Sequence, residues 1–163
     1  MVKIWKISLK PVAPAYRTSE LAGRIWSLCV TKGIAVLGWP IGDLTSMTKL
    51  QVSSRTRTDY PDSRISYVTN QLNWFSRGMN LGDIVLAYAG AKTVKGIGLV
   101  CGNYKFDSSL INGGLHTLPV RWEKIQDYTE NLPWHDTIHL MNISDIDNPS
   151  LKADVISLRG LEY

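Results

Sequence analysis

The side chains that could do chemistry are too scattered in this sequence to predict an active site. A metal-dependent nuclease needs clustered carboxylates and a lysine, typically with the acidic residue two positions before the lysine on a strand. Pro61-Asp62 is present, but no Asp/Glu-x-Lys triplet occurs in the chain. The Walker motif of nucleotide-hydrolysing enzymes is also missing. We therefore predict no catalytic residue and no enzyme.

Two arrangements come closer to catalytic chemistry. His135-Asp136-Thr137-Ile138-His139 has the histidine spacing of a zinc-protease helix. However, Pro133 precedes it, Thr137-Ile138 favours a strand, and no third ligand is evident, so we predict no metal and no cofactor. Cys29 could serve as a nucleophile beside a histidine, but it belongs to the apolar face of a predicted helix.

Trp39 is the side chain best placed to meet a ligand. The apolar run Ile34–Leu37 leads to it, and a loop broken by Pro40 and Gly42 follows at once. A buried strand thus delivers a large aromatic ring to the mouth of a loop. We hypothesise that Trp39 is one wall of a pocket for a flat ligand, such as a modified nucleobase. The alternative is a plain core tryptophan at a strand end.

The charge distribution indicates a polyanionic partner. Residues 1–105 contain 14 Lys/Arg and 5 Asp/Glu, whereas residues 106–163 contain 4 and 9, so that the chain carries +4 in total. A one-sided basic surface favours nucleic acid. An ordinary solvated surface is the alternative, because the excess forms no dense basic run.

Residues 45–63 form a polar stretch that we predict as a loop. Lys49, Arg55 and Arg57 lie there among serines and threonines. Hydroxyls and guanidinium groups both donate hydrogen bonds to phosphate oxygens, and arginine can do so with two parallel bonds. The stretch is therefore a candidate phosphate contact; a loop without ligand is the alternative.

Length and composition predict one domain. The chain has 163 residues, 44% of them hydrophobic and 20% charged, as in ordinary globular proteins. There is no apolar segment of membrane-spanning length and no signal-peptide pattern, so we expect a cytoplasmic protein. Cys29 and Cys101 lie far apart within apolar runs, and we expect both to be reduced core residues.

Periodicity predicts an α+β arrangement. Alternating or continuous apolar runs predict strands, and apolar spacing of three or four residues predicts helices. The predicted strands cover a half-buried 2–9, 34–39, a doubly covered 84–88, 94–104, 118–123 and a short 138–140; the predicted helices cover 19–33, 64–77 and a stretch from 148. Gly96, Gly98 and Gly102 leave one face of their strand bare, which predicts strong curvature or close approach of another backbone.

Several short motifs, in order, resemble the EVE domain. They are Ile4-Trp5-Lys6-Ile7-Ser8, Ile34–Trp39 with Gly42-Asp43-Leu44, Gly82-Asp83-Ile84-Val85, and Gly96-Ile97-Gly98-Leu99-Val100. The EVE domain is related to the YTH domain within the PUA-like superfamily. Residues 2–125 are most similar to the N-terminal specificity domain of McrB-type, GTP-driven restriction systems that depend on base modification.

The resemblance implies a twisted PUA-like β-barrel of five to six strands, flanked by helices, and a reader that flips a modified base into an aromatic cage. By motif position, Trp39 resembles the cage tryptophan. Ser8 and Lys10 resemble the polar residues after the first strand that contact the base edge or a phosphate. The second wall should follow residues 96–100, where no tryptophan stands; the candidates are Tyr104, Phe106, Leu110 and Leu115.

Burial of a methyl group alone gives such a site little selectivity for the modified base over the unmodified one. Burying one methyl contributes on the order of 0.8 kcal/mol, so stronger rejection of the unmodified base requires a polar contact. Ser8, Asn103 and Asn112 are candidates, with turn or cap roles as the alternative. The predicted grip on the DNA backbone comes from basic side chains, namely Lys10, Lys49, Arg55, Arg57 and Arg77.

These observations predict a non-catalytic reader of double-stranded DNA. We expect it to flip a methylated base, N6-methyladenine ahead of 5-methyl- or 5-hydroxymethylcytosine. We also expect a monomeric specificity module, fused to or assembled with an NTPase or nuclease of a restriction system. The alternatives are a module for modified RNA or single strands, and a nuclease or hydrolase with an unrecognised site.

Overall fold

The computed structural model describes residues 1–9, 19–90, 92–110, 114–131 and 136–160. Within them the elements run β1 (Ile4–Ser8), α1 (Ser19–Lys32), β2 (Ile34–Leu37), α2 (Lys49–Asp59), α3 (Ile65–Asn73) with a π-helical turn (Trp74–Gly78), β3 (Ile84–Ala89), β4 (Thr93–Val100), β5 (Lys105–Asp107), β6 (Leu115–Thr129), β7 (Ile138–Met141), a 3-10 turn (Ile143–Asp145) and α4 (Pro149–Arg159). The prediction of an α+β domain is confirmed.

The strands form one curled sheet, an open half-barrel flanked by the four helices. Its order is β2-β6-β4-β3-β1-β7, and β5 pairs with β6 beside this path. Pairing is antiparallel except between β1 and β3, which run parallel with Ile4 opposite Ile84 and Ser8 opposite Tyr88. The two end strands, β2 and β7, form no ladder with each other in the described chain.

Helices cover both faces of the sheet. One buried cluster joins Trp5 and Ile7 of β1 to Leu72 of α3. A second packs Leu151 and Val155 of α4 against the strands. A third lies between α1 and the strands, and its members are Leu9, Ala22, Ile25, Cys29, Val36, Ala87, Leu110 and Leu115. Trp5 also donates from Nε1 to Asp83 Oδ2 at 2.9 Å, which ties β1 to the turn before β3.

The bare face of β4 is filled by neighbouring groups, as close approach predicts. A Cβ added at Gly96 would lie 2.6 Å from Cη2 of Trp26, and one at Gly98 would lie 2.8 Å from Cε3 of Trp122. Trp26 and Trp122 meet edge to face, with centroids 4.9 Å apart. The glycines therefore let α1 and β6 close on β4.

Strand β1 is buried on both sides, so the prediction of a half-buried strand is wrong. Lys6 is only 4% exposed, and Trp5 and Ile7 on the opposite side of the strand are 3% and 2% exposed. The ammonium group of Lys6 donates to the carbonyl oxygen of Asp136 and lies 5.8 Å from the ring centroid of Tyr88. These contacts let a lysine occupy a buried strand, because a buried cation needs hydrogen-bond partners.

The prediction of a loop over 45–63 is also wrong, because α2 covers Lys49–Asp59. Only Val52 and Thr56 of this helix are buried, so the sequence carries no apolar stripe. The helix begins with a capping box in which Thr48 accepts from the backbone of Gln51, and the Gln51 side chain accepts from the backbone of Thr48.

Other boundaries differ less. Strand β4 ends at Val100 instead of residue 104, β5 lies outside every predicted strand, and β6 extends to Thr129. Cys29 is buried as predicted, but Cys101 is exposed; neither forms a disulfide. Within the described ranges, the helices are all too short or too polar to cross a lipid bilayer.

Candidate functional site

Trp39 lies just beyond β2 in a strained backbone conformation. Its φ is 53°, and it is the one non-glycine residue with positive φ among those the structure describes. The left-handed region costs such a residue on the order of 1–2 kcal/mol. Leu37 before it is fully buried, whereas Trp39 itself is partly exposed and packs against the cluster that contains Trp5. Strong tertiary contacts must therefore hold this conformation.

A chain of three hydrogen bonds supplies that support. The Nε2 atom of His116 lies 2.9 Å from the carbonyl oxygen of Trp39, and its Nδ1 lies 2.7 Å from the hydroxyl of Tyr104. The backbone N–H of Leu44 donates to the same hydroxyl at 3.2 Å. The chain joins the start of β6 to both ends of the 39–44 loop, so that it fixes the loop on the sheet.

The protonation state of His116 follows from burial and from these partners. The ring is 0% exposed, and burial lowers the pKa of His116 to about 4. The neutral ring must carry its proton on Nε2, because the Trp39 carbonyl can only accept. Nδ1 is then the acceptor for the Tyr104 O–H, and burial keeps that hydroxyl protonated by raising the pKa of Tyr104 to about 12.

Tyr67 of α3 provides an aromatic neighbour for Trp39. The two rings meet edge to face, with centroids 6.2 Å apart and an interplanar angle of 86°. The backbone N–H of Thr137 donates to the Tyr67 hydroxyl at 2.9 Å, and the Thr137 carbonyl accepts from the backbone N–H of Ser8 at 2.8 Å. We call Trp39 and Tyr67 the aromatic corner; hydrogen bonds link it to the end of β1.

Of the four candidates for the second wall, the structure places two beside His116 and two in the cluster beside α1. Tyr104 stacks on His116 with centroids 5.7 Å apart, and Phe106 lies 5.1 Å from the same ring. Leu110 and Leu115 are 9% and 1% exposed and pack in the cluster beside α1. In this conformation Leu115 presents almost no surface to a ligand.

The predicted basic residues lie mainly on α2. Lys49, Arg55 and Arg57 are exposed, and Arg55 pairs with Asp59 at 2.8 Å. Arg77 donates to the carbonyl oxygens of Leu44 and Met47. Lys10 and Asn112 lie outside the described residues, as does His135.

Three contributors to the site were missed by sequence reasoning. Tyr67 belongs to a stripe with Gln71 and Trp74 that is typical of a second buried helix face, so its role beside Trp39 had no separate signal. Arg64 lies over the Tyr67 ring at 5.6 Å, which places a cation next to the aromatic corner. His116 gave no signal either, because only the fold brings it to Trp39.

The fold and the site together define an α+β domain whose curled sheet carries a strained, partly exposed tryptophan at a strand end. The chain belongs to the family described as "Domain of unknown function (DUF8426)", whose model matches residues 5–146. The matched range includes Trp39, Tyr67, Tyr104 and His116, and α4 lies beyond it. No curated protein sequence matches the chain.

Proposed function

We propose that this domain is a non-catalytic reader of modified DNA that receives a flipped, methylated base against Trp39. The observation that carries the proposal is the aromatic corner: a partly exposed tryptophan, held in a left-handed conformation by His116 and in edge-to-face contact with Tyr67. Strained backbone conformations cluster at binding sites, where the surrounding structure over-determines them. In this proposal the half-barrel is of the PUA-like, EVE type.

The energetics of base flipping explain why an aromatic corner suits this function. Extruding a base costs a few kcal/mol of lost stacking and pairing, and stacking on an aromatic ring returns roughly 1–3 kcal/mol. A methyl group adds about 0.8 kcal/mol when it is buried. We propose N6-methyladenine as the preferred base, with 5-methyl- and 5-hydroxymethylcytosine next. Ser8, which is linked to Tyr67 through Thr137, is the proposed polar contact.

Helix α2 is the proposed site of contact with the DNA backbone. A groove of about 520 Å³ runs along it and is lined in part by Met47, Ser54, Arg55 and Thr58. Hydroxyl and guanidinium donors on one helix face suit phosphate oxygens. Exposed positive charge is added by Lys49 and Arg57 on α2 and by Arg64 at the start of α3. We therefore propose that affinity falls steeply with salt, by a slope of about −0.9 per phosphate contact on a log–log plot.

The proposed biological setting is a restriction system. The domain would act in the cytoplasm as a monomeric specificity module, without a cofactor, and would be fused to or assembled with an NTPase or nuclease that cuts the DNA. Modified RNA or single-stranded nucleic acid as ligand, and an unrecognised hydrolytic site, are the alternatives that the binding experiment separates.

The test compares one duplex in four forms: unmodified, with N6-methyladenine, with 5-methylcytosine and with 5-hydroxymethylcytosine. We expect wild-type protein to bind one modified form at least about fivefold more tightly than the unmodified duplex. Trp39→Ala should lose this preference, and Trp39→Phe should keep part of it because a ring remains for stacking. Trp74→Ala is the matched control, since Trp74 is 39% exposed and contacts Trp5 instead of the aromatic corner.

Three outcomes would redirect the proposal. Equal affinity for all duplex forms, or a Trp39→Ala variant that keeps the preference, would refute base reading at this site. Tighter binding of a matched RNA or single strand would favour the first alternative. Cleavage of nucleic acid by the purified domain with added Mg²⁺ would favour an enzyme.

A further inference from the structure

A second cavity is lined in part by Tyr104, whose hydroxyl contacts His116. It has a volume of about 390 Å³ and is formed by Leu118 of β6 together with three further segments that are distant in sequence. These are Leu44–Thr45 after β2, Ser76–Leu81 at the end of the π-helical turn, and Gly102–Tyr104 after β4. Ligand sites of small molecules begin at roughly this volume.

The cavity holds a cation, Arg77, that forms no salt bridge with any residue the structure describes. Arg77 donates to the carbonyl oxygens of Leu44 and Met47 and to the side-chain oxygen of Asn73. All three acceptors are uncharged, and within the described ranges Arg77 forms no salt bridge. The guanidinium group is thus fixed in position, is exposed, and keeps N–H groups for another acceptor.

The rest of the lining supplies neutral hydrogen-bonding groups. Asn103 is exposed at the rim, and its side chain has no hydrogen bond to any part of the chain that the structure describes. Asn80 and Thr45 lie on the two other segments. Leu44, Met79 and Leu118 form a small apolar floor. A fixed guanidinium group surrounded by amides and hydroxyls matches a phosphate attached to a polyhydroxylated ring.

We propose that this cavity binds a sugar-phosphate unit, with its phosphate on Arg77 and its hydroxyl groups on Asn103 and Asn80. Two sources share this chemistry: a free sugar phosphate or nucleotide, and one residue of a nucleic-acid backbone. The cavity does not use the aromatic corner, so it can bind its ligand whether or not Trp39 reads a base.

The first arm of the test titrates ribose 5-phosphate into the full chain, with ribose as the uncharged control. Binding is followed by calorimetry and by the NMR signals of the Asn103 side-chain amide and the Arg77 Nε–H. We expect saturable binding of ribose 5-phosphate, shifts of both signals, and at least tenfold weaker binding of ribose. The second arm titrates the unmodified duplex and thereby tests the backbone as the source.

Asn103→Asp is the decisive variant, because it places a negative charge at the rim without removing any internal hydrogen bond. We expect at least about tenfold weaker binding of the phosphate ligand, since like charges in contact oppose binding. Asn131→Asp is the matched control and should change affinity less than twofold. Asn131 is exposed and follows the end of β6 that pairs with Thr93, the first residue of β4. The cavity lies near Val100, at the other end of β4.

The two titrations distinguish the two sources of the ligand. Weaker binding of ribose 5-phosphate to the Asn103→Asp variant supports a site for a free ligand. Weaker binding of the duplex alone supports the nucleic-acid backbone as the source. The proposal is overturned if neither ligand responds to Asn103→Asp, or if ribose binds as tightly as ribose 5-phosphate. A duplex that responds to Asn103→Asp but shows no preference for modified bases would refute base reading while leaving this cavity site intact.

Discussion

The ring of His116 donates a hydrogen bond from Nε2 to the carbonyl oxygen of Trp39 at 2.9 Å. This bond fixes the backbone of the one described non-glycine residue that has positive φ. The other ring nitrogen accepts from Tyr104, which in turn accepts from the backbone of Leu44. A neutral, buried imidazole therefore orients Trp39, although no atom of His116 needs to contact a ligand.

Removing the hydroxyl of Tyr104 should break this chain at its centre. Tyr104→Phe leaves the Leu44 N–H and the His116 Nδ1 without partners in a buried region. We expect a loss of about 1–3 kcal/mol in the free energy of unfolding, measured by urea denaturation. The aromatic packing on Phe75 is retained, so the loss reports on the hydroxyl.

Tyr60→Phe is the matched control for this variant. Tyr60 is half-buried, and its hydroxyl makes no hydrogen bond to the described residues. We expect its unfolding free energy to stay within about 0.5 kcal/mol of the wild type. An equal loss in both variants would contradict a specific role for the Tyr104 hydroxyl.

The stability of the protein should fall as the pH falls from about 6.5 to about 4. Burial lowers the pKa of His116 to about 4, while the unfolded chain binds its proton near the ordinary value of about 6.5. In that window the unfolded state binds more protons, so acid favours unfolding. The shift contributes at most about 3 kcal/mol to the free energy of unfolding. This contribution is fully present above about pH 7.

Denaturation curves between pH 7.5 and 4.5 measure this effect. His116→Gln should be less stable at neutral pH and should show a flatter dependence in this window. His139→Gln is the control for replacing a histidine, because His139 of β7 is partly exposed whereas His116 is fully buried. A wild-type slope in His116→Gln would show that another group causes the acid sensitivity.

Alanine at Gly96 should disrupt the packing of α1 on the sheet. The new Cβ would lie 2.6 Å from Cη2 of Trp26 and 2.7 Å from the carbonyl oxygen of Lys124. Because one of these atoms is backbone, relief requires movement of β6. We expect a loss of about 1–3 kcal/mol in unfolding free energy.

Gly23→Ala offers the same substitution without a clash. Gly23 lies within α1, and an added Cβ would meet nothing within 4 Å. Alanine is the better helix former, so we expect an increase of roughly 0.5–1 kcal/mol in unfolding free energy. Thermal melts of the two variants should therefore shift in opposite directions; shifts of the same sign would argue against this account of the glycines.

The carboxylate of Asp83 should be essential for the junction of β1 and β3. It is 3% exposed and accepts from Trp5 Nε1 and from the backbone N–H groups of Lys3 and Asn80. Asp83→Asn presents an amide N–H to these donors and should lower the unfolding free energy by about 2–4 kcal/mol. Asp62→Asn, at an exposed turn, should change it by less than about 0.5 kcal/mol.

Strong local signals made much of the fold predictable. Helix α4 begins after Asn148, whose side chain accepts from the backbone of Leu151, and it buries Val155 and Leu158, as its spacing predicts. Strand β3 is covered on both sides, which matches its unbroken apolar run. Signals of this kind are read within a few residues, so no tertiary information is needed.

The predictions were wrong for elements that lack such local signals. Helix α2 is polar over most of its surface, and its capping box at Thr48 was the one local indication of a helix. Lys6 lies in a strand predicted to be half-buried, yet it is buried, in contact with Tyr88 and Asp136. The contacts that bury Lys6 come from residues far along the chain.

The sequence by itself determined that the chain forms an α+β domain and that a strand leads to Trp39. It also determined the excess of basic residues within positions 1–105. Only the tertiary structure decided that His116, 77 positions away, holds the Trp39 backbone and that Tyr67 packs edge to face with Trp39. The physical reason is that periodicity reports which face of an element is buried, whereas a hydrogen bond between distant segments exists only once the sheet has curled and brought them together.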